Sequence, residues 1–202
     1  MKIRNLSTRD LVYTSNVYLV TGTWNAIADK NTLVDVGRDP AILGDLMSAS
    51  TGVGKKRVEQ VILTHSHYDH VSLLPRIREL FSPAVYAASA FLPGVDVVLR
   101  GGEHLPFGDR EYEVILSPGH SNDSVCLYCA DDAVLFAGDT PLIIRNSDAT
   151  YPPEFIHALE TLCTRNVATI YFGHGPPLLA EGNAVLARSL LNAKGDGQQG
   201  TL

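Results

Sequence analysis

The chain has 202 residues, 45% of them hydrophobic, with a formal net charge of −6 and a pI near 5.6. That length and apolar fraction suit one domain around a single core, and the acidic balance disfavours nucleic-acid binding, which needs a clustered basic surface. Three cysteines form an odd set and point to free thiols, while residues 1–10 are polar and residues 11–20 are broken by Thr14, Ser15 and Asn16; no leader and no membrane partner are expected, and the expected location is the cytoplasm.

In chain order, apolar runs predict strands at residues 12–20, 32–36, 58–63 and 84–87, with amphipathic helices at 41–49 and 72–80. Ser72 is placed to cap the second helix, which puts Pro75 in its first turn, where a missing N–H costs little. The second half repeats the pattern loosely, with strands at 111–116, 124–129, 133–137 and 169–172 and helices at 153–164 and 181–193. This alternation implies sheets covered by helices, a layered α/β domain over residues 1–194 with a flexible tail at 195–202.

Two short patterns invite functional readings that fail on inspection. Cys126 and Cys129 make a Cys-x-x-Cys, but they lie in a strand, where positions three apart face opposite ways, so core packing fits better. Gly52-Val53-Gly54-Lys55 hints at a phosphate loop, yet no strand leads into it and Lys56 stands where a magnesium-binding Ser or Thr is needed. Lys55-Lys56-Arg57, the one basic block, reads as a solvated loop.

Thr64-His65-Ser66-His67-Tyr68-Asp69-His70 is the informative stretch. It places three imidazoles and a carboxylate at the exit of the apolar run 58–63, four donors on one turn, which is a metal site. Five of the seven histidines lie here or in Pro118-Gly119-His120 and Gly173-His174-Gly175. Asp35, His120, Asp139 and His174 likewise follow apolar runs, so buried strands deliver all of them to one rim, with Gly37, Gly119, Gly138, Gly173 and Gly175 allowing tight turns beside it. Any one alone reads as a turn residue; the set together does not. His104 and His157 lack such a motif and are expected on the surface. The donors suit zinc first, with iron and manganese equally compatible in chemistry.

In Asp35, His65-x-His67-x-Asp69-His70, His120, Asp139 and His174, taken in that order, the chain resembles the metallo-β-lactamase superfamily, in its glyoxalase II-like hydrolase branch. The likeness runs from about Asn16 to Gly175. It implies an αβ/βα four-layer sandwich with two divalent metal ions in a cleft at the sheet edges. By position, His65, His67 and His120 hold the first ion, Asp69, His70 and His174 the second, and Asp139 bridges them. Asp35 resembles the carboxylate behind an imidazole ligand, orienting it. Two ions bring +4, Asp69 and Asp139 −2 and a bridging hydroxide −1, so the centre is net positive and draws polarised carbonyls. The resemblance thus implies hydrolysis of a small thioester, ester or lactone by a metal-bridging hydroxide, with Asp69 able to handle the released proton if its contact loosens.

Departures from relatives shape this expectation. His67 stands where flavo-diiron reductases carry Glu, and Asp139 where antibiotic-degrading members usually carry Cys or Ser. Ser72-Leu73 replaces a common Gly-Gly. The family's long helical extension has no counterpart after His174, so no special preference for glutathione thioesters is expected. Residues 141–153, with Arg145 and Tyr151, fall where relatives contact substrate; Tyr151 either donates to the developing oxyanion or packs as an aromatic before Pro152-Pro153. Loops near 21–30, 91–104 and 141–153, with Trp24, Phe91, Leu92, Leu142 and Ile143, are expected to enclose a small acyl substrate. Two alternatives remain open, a mononuclear iron persulfide dioxygenase and a non-catalytic metal-binding effector, and metal count and turnover separate them. Sequence leaves the oligomeric state unspecified.

Overall fold

The computed structural model describes residues 1–7 and 12–195, so the tail expected at 195–202 lies almost wholly outside the described residues. Short runs rich in Val, Ile and Leu form the strands. One sheet holds β1 (Lys2–Asn5), β2 (Tyr18–Thr21), β3 (Thr32–Val34), β4 (Gln60–Ile62), β5 (Ala84–Ala87) and β6 (Val97–Val98) in that spatial order. Its first three strands pair antiparallel and β3 to β6 pair parallel. The other sheet contains β7 (His104–Phe107), β8 (Arg110–Leu116), β9 (Val125–Cys129), β10 (Val134–Gly138) and β11 (Thr169–Phe172), ordered β11-β10-β9-β8-β7. Only its β10–β11 pair is parallel.

Neighbouring residues on these strands go to different layers, as the two-residue period of a strand requires. Leu33, Val61 and Val85 pack under α1 (Ala41–Ser48) and α3 (Leu74–Phe81) with Ile42, Leu46 and Ile77. Their sequence neighbours Val34 and Ile62 turn inward and meet Val114, Leu127 and Phe136 between the sheets. Ile115, Leu135 and Ile170 face outward, under α4 (Pro153–Cys163) and α5 (Gly182–Ala193), against Phe155, Leu159 and Leu186. The result is helix, sheet, sheet, helix: the expected four layers. Cys126 lies in the outer layer and Cys129 between the sheets, so the two thiols face opposite sides of β9.

Several expectations need correction. The strand predicted at 12–20 is only β2, because the amides before it are used elsewhere: Ser15 N–H donates to Asp69 O at 3.2 Å and Asn16 N–H to Gly173 O at 2.6 Å. The helix predicted at 72–80 is α3, starting two residues later and ending one later, and a separate single turn, α2 (Tyr68–Val71), precedes it. Ser72 closes α2, its hydroxyl and amide both donating to Tyr68 O, while Leu73 precedes α3 without a side-chain cap. Pro75 does fall in the first turn of α3. Lys55 is not solvated: its side chain is 3% exposed, and Nζ donates to Ala26 O and Asp29 O and pairs with Glu59.

The parallel register fixes where the loops lie. β3, β4, β8, β10 and β11 all end at one edge of the sandwich, where Val125 N–H donates to Thr64 O at 2.9 Å across the sheets. At the opposite edge Lys30 and Gly108 exchange both backbone hydrogen bonds. Among the described residues no helix is long and apolar enough to cross a membrane.

Candidate metal centre

Five strand ends bring the motif residues together at that first edge. After β4 the chain stays extended through His67 and then turns into α2, which carries Asp69 and His70 inward. Both are buried, as is His65. His120 and His174 arrive on loops after β8 and β11, each with its side chain 33% exposed, and Asp139 follows the end of β10. Room for Asp139 depends on Gly173, where a Cβ would lie 2.1 Å from Asp139 Oδ1 and 2.8 Å from His70. Gly138 has φ +52 and its Cα face lies against Thr64, a close approach that only glycine permits cheaply.

Three donor groups have ligand atoms within 4.8 Å of one another: His65, His67 and His120; His65, His70 and Asp139; Asp69, His70 and His174. In the first, His120 Nε2 and His67 Nδ1 are 2.9 Å apart. In the last, His174 Nε2 lies 3.0 Å from Asp69 Oδ2. Asp139 stands between them: Oδ2 is 3.5 Å from both His120 Nε2 and His174 Nε2 and 4.0 Å from His65 Nε2, and Oδ1 is 3.4 Å from His70 Nε2.

The donor atoms fit cations. His65 Nε2, His70 Nε2, His174 Nε2 and Asp139 Oδ1 are all buried without a hydrogen-bond partner. A buried polar atom left so costs about 1–3 kcal/mol, and these four converge on one place, where cations would satisfy them together.

Charge within the centre is finely divided. Burial and the neighbouring His70 charge push His65 down to about 4, and burial also lowers His120, which favours the neutral form of both rings. Burial opposes a charge on His70 too, but Asp35 and Asp139 outweigh it and push that ring up to about 10. The nearby Asp139 carboxylate raises His174. For Asp139 itself, burial opposes ionisation, yet the neighbouring His174 and His70 rings hold its carboxyl well below the usual range.

Asp35 sits behind His70. It adopts φ +59, uncommon for a non-glycine residue, and is held there by Thr64, whose N–H and Oγ1–H donate to its two oxygens at 2.8 Å. His70 Nδ1 lies 2.8 Å from Asp35 Oδ2, so Nδ1–H donates outward and Nε2 is aimed at the centre.

A cavity of about 480 Å³ opens beside Asp139, with His120 and His174 on its polar side and Pro141, Leu142, Ile143 and Phe172 on its apolar side. Of the loops expected to enclose a substrate, 141–153 contributes Leu142 and Ile143 here. Tyr151 instead packs its ring on Phe155, with centroids 5.2 Å apart. The loop 21–30 does not approach the centre: β2 runs antiparallel to β3, so Trp24, 88% exposed, stands at the opposite edge of the sandwich. Phe91 is also open to solvent, and His104 and His157 are surface residues paired with Glu111 and Glu160.

Two residues at the site carry no motif. Tyr13 stacks nearly parallel on His174, centroids 5.3 Å apart, and Asn16 donates to the backbone on either side of that histidine. Polarity within a predicted strand, at Thr14, Ser15 and Asn16, was the available signal.

Comparison with known proteins agrees in outline. The family model described as metallo-beta-lactamase superfamily matches residues 11–93 and 87–174. Hydroxyacylglutathione hydrolase of Rhizobium johnstonii is 30% identical over 135 residues, 64% of this chain and 52% of that protein. Its namesake in Brucella ovis is 33% identical over 121 residues, 56% of this chain and 47% of that protein. The chain therefore spans about half the length of the curated relatives it matches. Among solved structures, ETHE1 from Myxococcus xanthus has a TM-score of 0.69 at 19% identity, covering 100% of this chain and 92% of that one. TTHA1623, in a di-iron-bound form, has a TM-score of 0.66 at 24% identity, covering 94% and 98%.

Proposed function

The chain belongs to the metallo-beta-lactamase superfamily, and from that membership we propose that it is a dinuclear metal-dependent hydrolase of a small thioester, ester or lactone. The observation that carries the reading is the pair of donor triads on either side of Asp139, His65-His67-His120 and Asp69-His70-His174, with Asp139 within 4.0 Å of donors in both. Each triad would hold one ion and Asp139 both. Zinc is the first choice, and iron or manganese suit the same donors. When bound, two such ions supply Lewis acidity toward a carbonyl and lower the pKa of water to about 7.

The protein's own groups do the rest. Asp35 fixes the tautomer of His70, so Nε2 faces the centre. Asp69, a donor of the second triad, would take a proton released during hydrolysis only if its own metal contact loosens. Leu142, Ile143 and Phe172 form an apolar wall that shelters an acyl chain beside the carboxylates. Tyr151, on the loop following that wall, is assigned the oxyanion donor role only if it leaves its contact with Phe155.

The wall recognises the acyl part, so rate should follow the acyl group more than its carrier. The test compares kcat/KM for one acyl group on glutathione, coenzyme A and a simple thiol, together with a matched lactone. Values within about 100-fold, roughly 2.7 kcal/mol, are expected. A larger preference for glutathione would replace this reading with the activity named for the curated relatives. The mononuclear iron dioxygenase alternative requires one ion per chain, and the non-catalytic alternative requires no turnover with both ions present.

A further inference from the structure

The two donor triads are braced by different parts of the chain. His174 lies on Gly173-His174-Gly175, a loop outside any helix or strand, and Gly175 has φ +76. Gly173 N–H donates to Gly138 O at 2.7 Å, and the rest of the loop is held by Asn16, which is 8% exposed. Its Nδ2 donates to Phe172 O and Gly175 O, both at 2.9 Å, and its backbone N–H donates to Gly173 O at 2.6 Å. Every residue flanking His174 is thereby anchored through its carbonyl. Asn5 Nδ2 donates to Asn16 Oδ1 at 2.8 Å, which fixes the orientation of the amide. Tyr18 OH adds a second donor to Phe172 O at 2.7 Å, and Ser15 N–H reaches Asp69 O at 3.2 Å. This one segment thus grips both Asp69 and His174. The first triad draws on the β4–α2 loop and the β8–β9 loop instead.

We propose that Asn16 is a positioning residue for the second metal subsite, and that its carboxamide decides whether the protein binds two ions or one. This rests on the dinuclear reading above. Asn16 touches no ion and no substrate; it acts by holding the His174 loop at the reach that Asp69 and His70 demand. Losing both Nδ2 donors frees the loop, and the second ion then binds against the cost of ordering it. Partners that orient ligands are worth roughly 10–100-fold in metal affinity, and an effect of that size is expected here at one subsite alone.

The test is an equilibrium titration of the chelator-treated protein with cobalt(II), following ligand-field absorbance and bound metal, in wild type, Asn16→Ala, Asn16→Asp and Tyr18→Phe. Wild type should bind two ions. Both Asn16 variants should bind the first with affinity within about twofold of wild type and the second about 10–100-fold more weakly. Asn16→Asp keeps size and Oδ1 but loses the donors, so it separates hydrogen bonding from packing. If thermal melts show that the Asn16 variants fail to fold, Tyr18→Phe carries the test, with a smaller loss confined to the second ion. A folded variant that retains wild-type affinity for both ions, or loses both equally, overturns the assignment while leaving the dinuclear reading intact. A wild-type count of one ion overturns both.

Discussion

Asp35 combines an unfavourable backbone conformation with three hydrogen bonds to its carboxylate, and that combination explains why a residue outside the donor set matters. Asp35→Asn keeps the shape but can no longer accept from both Thr64 and His70 as an anion. It should bind metal at saturation yet weaken affinity by roughly 10–100-fold. An Asp35 oxygen found within bonding distance of an ion would contradict that role. Asp139 differs because it lies between both triads. Asp139→Ala should therefore lower kcat/KM at least about tenfold further than His174→Ala, about 1.4 kcal/mol, with a larger loss of bound metal. Wild-type metal content in Asp139→Ala would sink the bridging assignment. His70 gives a pH prediction. Its pKa is raised, from 6.5 to about 10, so the proton it carries in the metal-free protein stabilises fully below 6.5 and is lost as pH rises through 10. At pH 8 an ion must displace that proton. Calorimetry in buffers of different ionisation enthalpy should show proton release on loading; identical heats in all buffers would refute it. These roles were only partly legible beforehand. Asp35 stood out because it ends an apolar run, whereas Asn16 and Tyr13 did not, because their importance lies in contacts with residues more than 150 positions away.

Strands that run through the core were readable as apolar runs, and β4, β5, β8, β9, β10 and β11 lie close to their expected places. Of the four edge strands only β11 was; β1, β6 and β7 were not. β1 alternates exposed and half-buried positions over Lys2, Ile3, Arg4 and Asn5, β6 has two exposed valines, and β7 contains Pro106, which is tolerated because β7 is the edge of its sheet. Such strands bury too little to leave a hydrophobic pattern. The connection of α4 to the second sheet is likewise a tertiary matter. Arg165, just beyond α4, grips Glu113 of β8 with Nε to Oε2 at 2.8 Å and Nη2 to Oε1 at 2.7 Å. Arg165 lowers the Glu113 carboxyl from its ordinary 4.5. A depressed carboxylate contributes stability that is present above about 4.5 and disappears as pH falls through its folded value. Arg165→Met should thus cost about 1 kcal/mol at pH 7 and less at pH 3, measured by denaturant melts. An equal cost at both pH values would mean that packing, not the ion pair, is what was lost.

At the scale of the molecule, strand direction decides which loops can face a substrate. Loop positions were legible in the chain but the edge on which each emerges was not, so Trp24 and Ile143 looked equivalent. The register separates them: the loop bearing Trp24 lies at the edge of the Lys30–Gly108 bridge, while Ile143 lines the cavity beside Asp139. Ile143→Ala should raise KM several-fold for a long acyl substrate, with Trp24→Ala leaving kcat/KM within about twofold. The reverse result would place the substrate at the wrong edge. The donor set was legible because it is concentrated at strand ends, but its arrangement as two triads around Asp139 is a property of two sheets meeting. The most direct measurement of the whole account is the rate of thioester hydrolysis as the metal-free protein is titrated with zinc. Activity that climbs until two equivalents are bound is the expected result; a rate that is maximal at one equivalent, or absent at two, would contradict a dinuclear hydrolase.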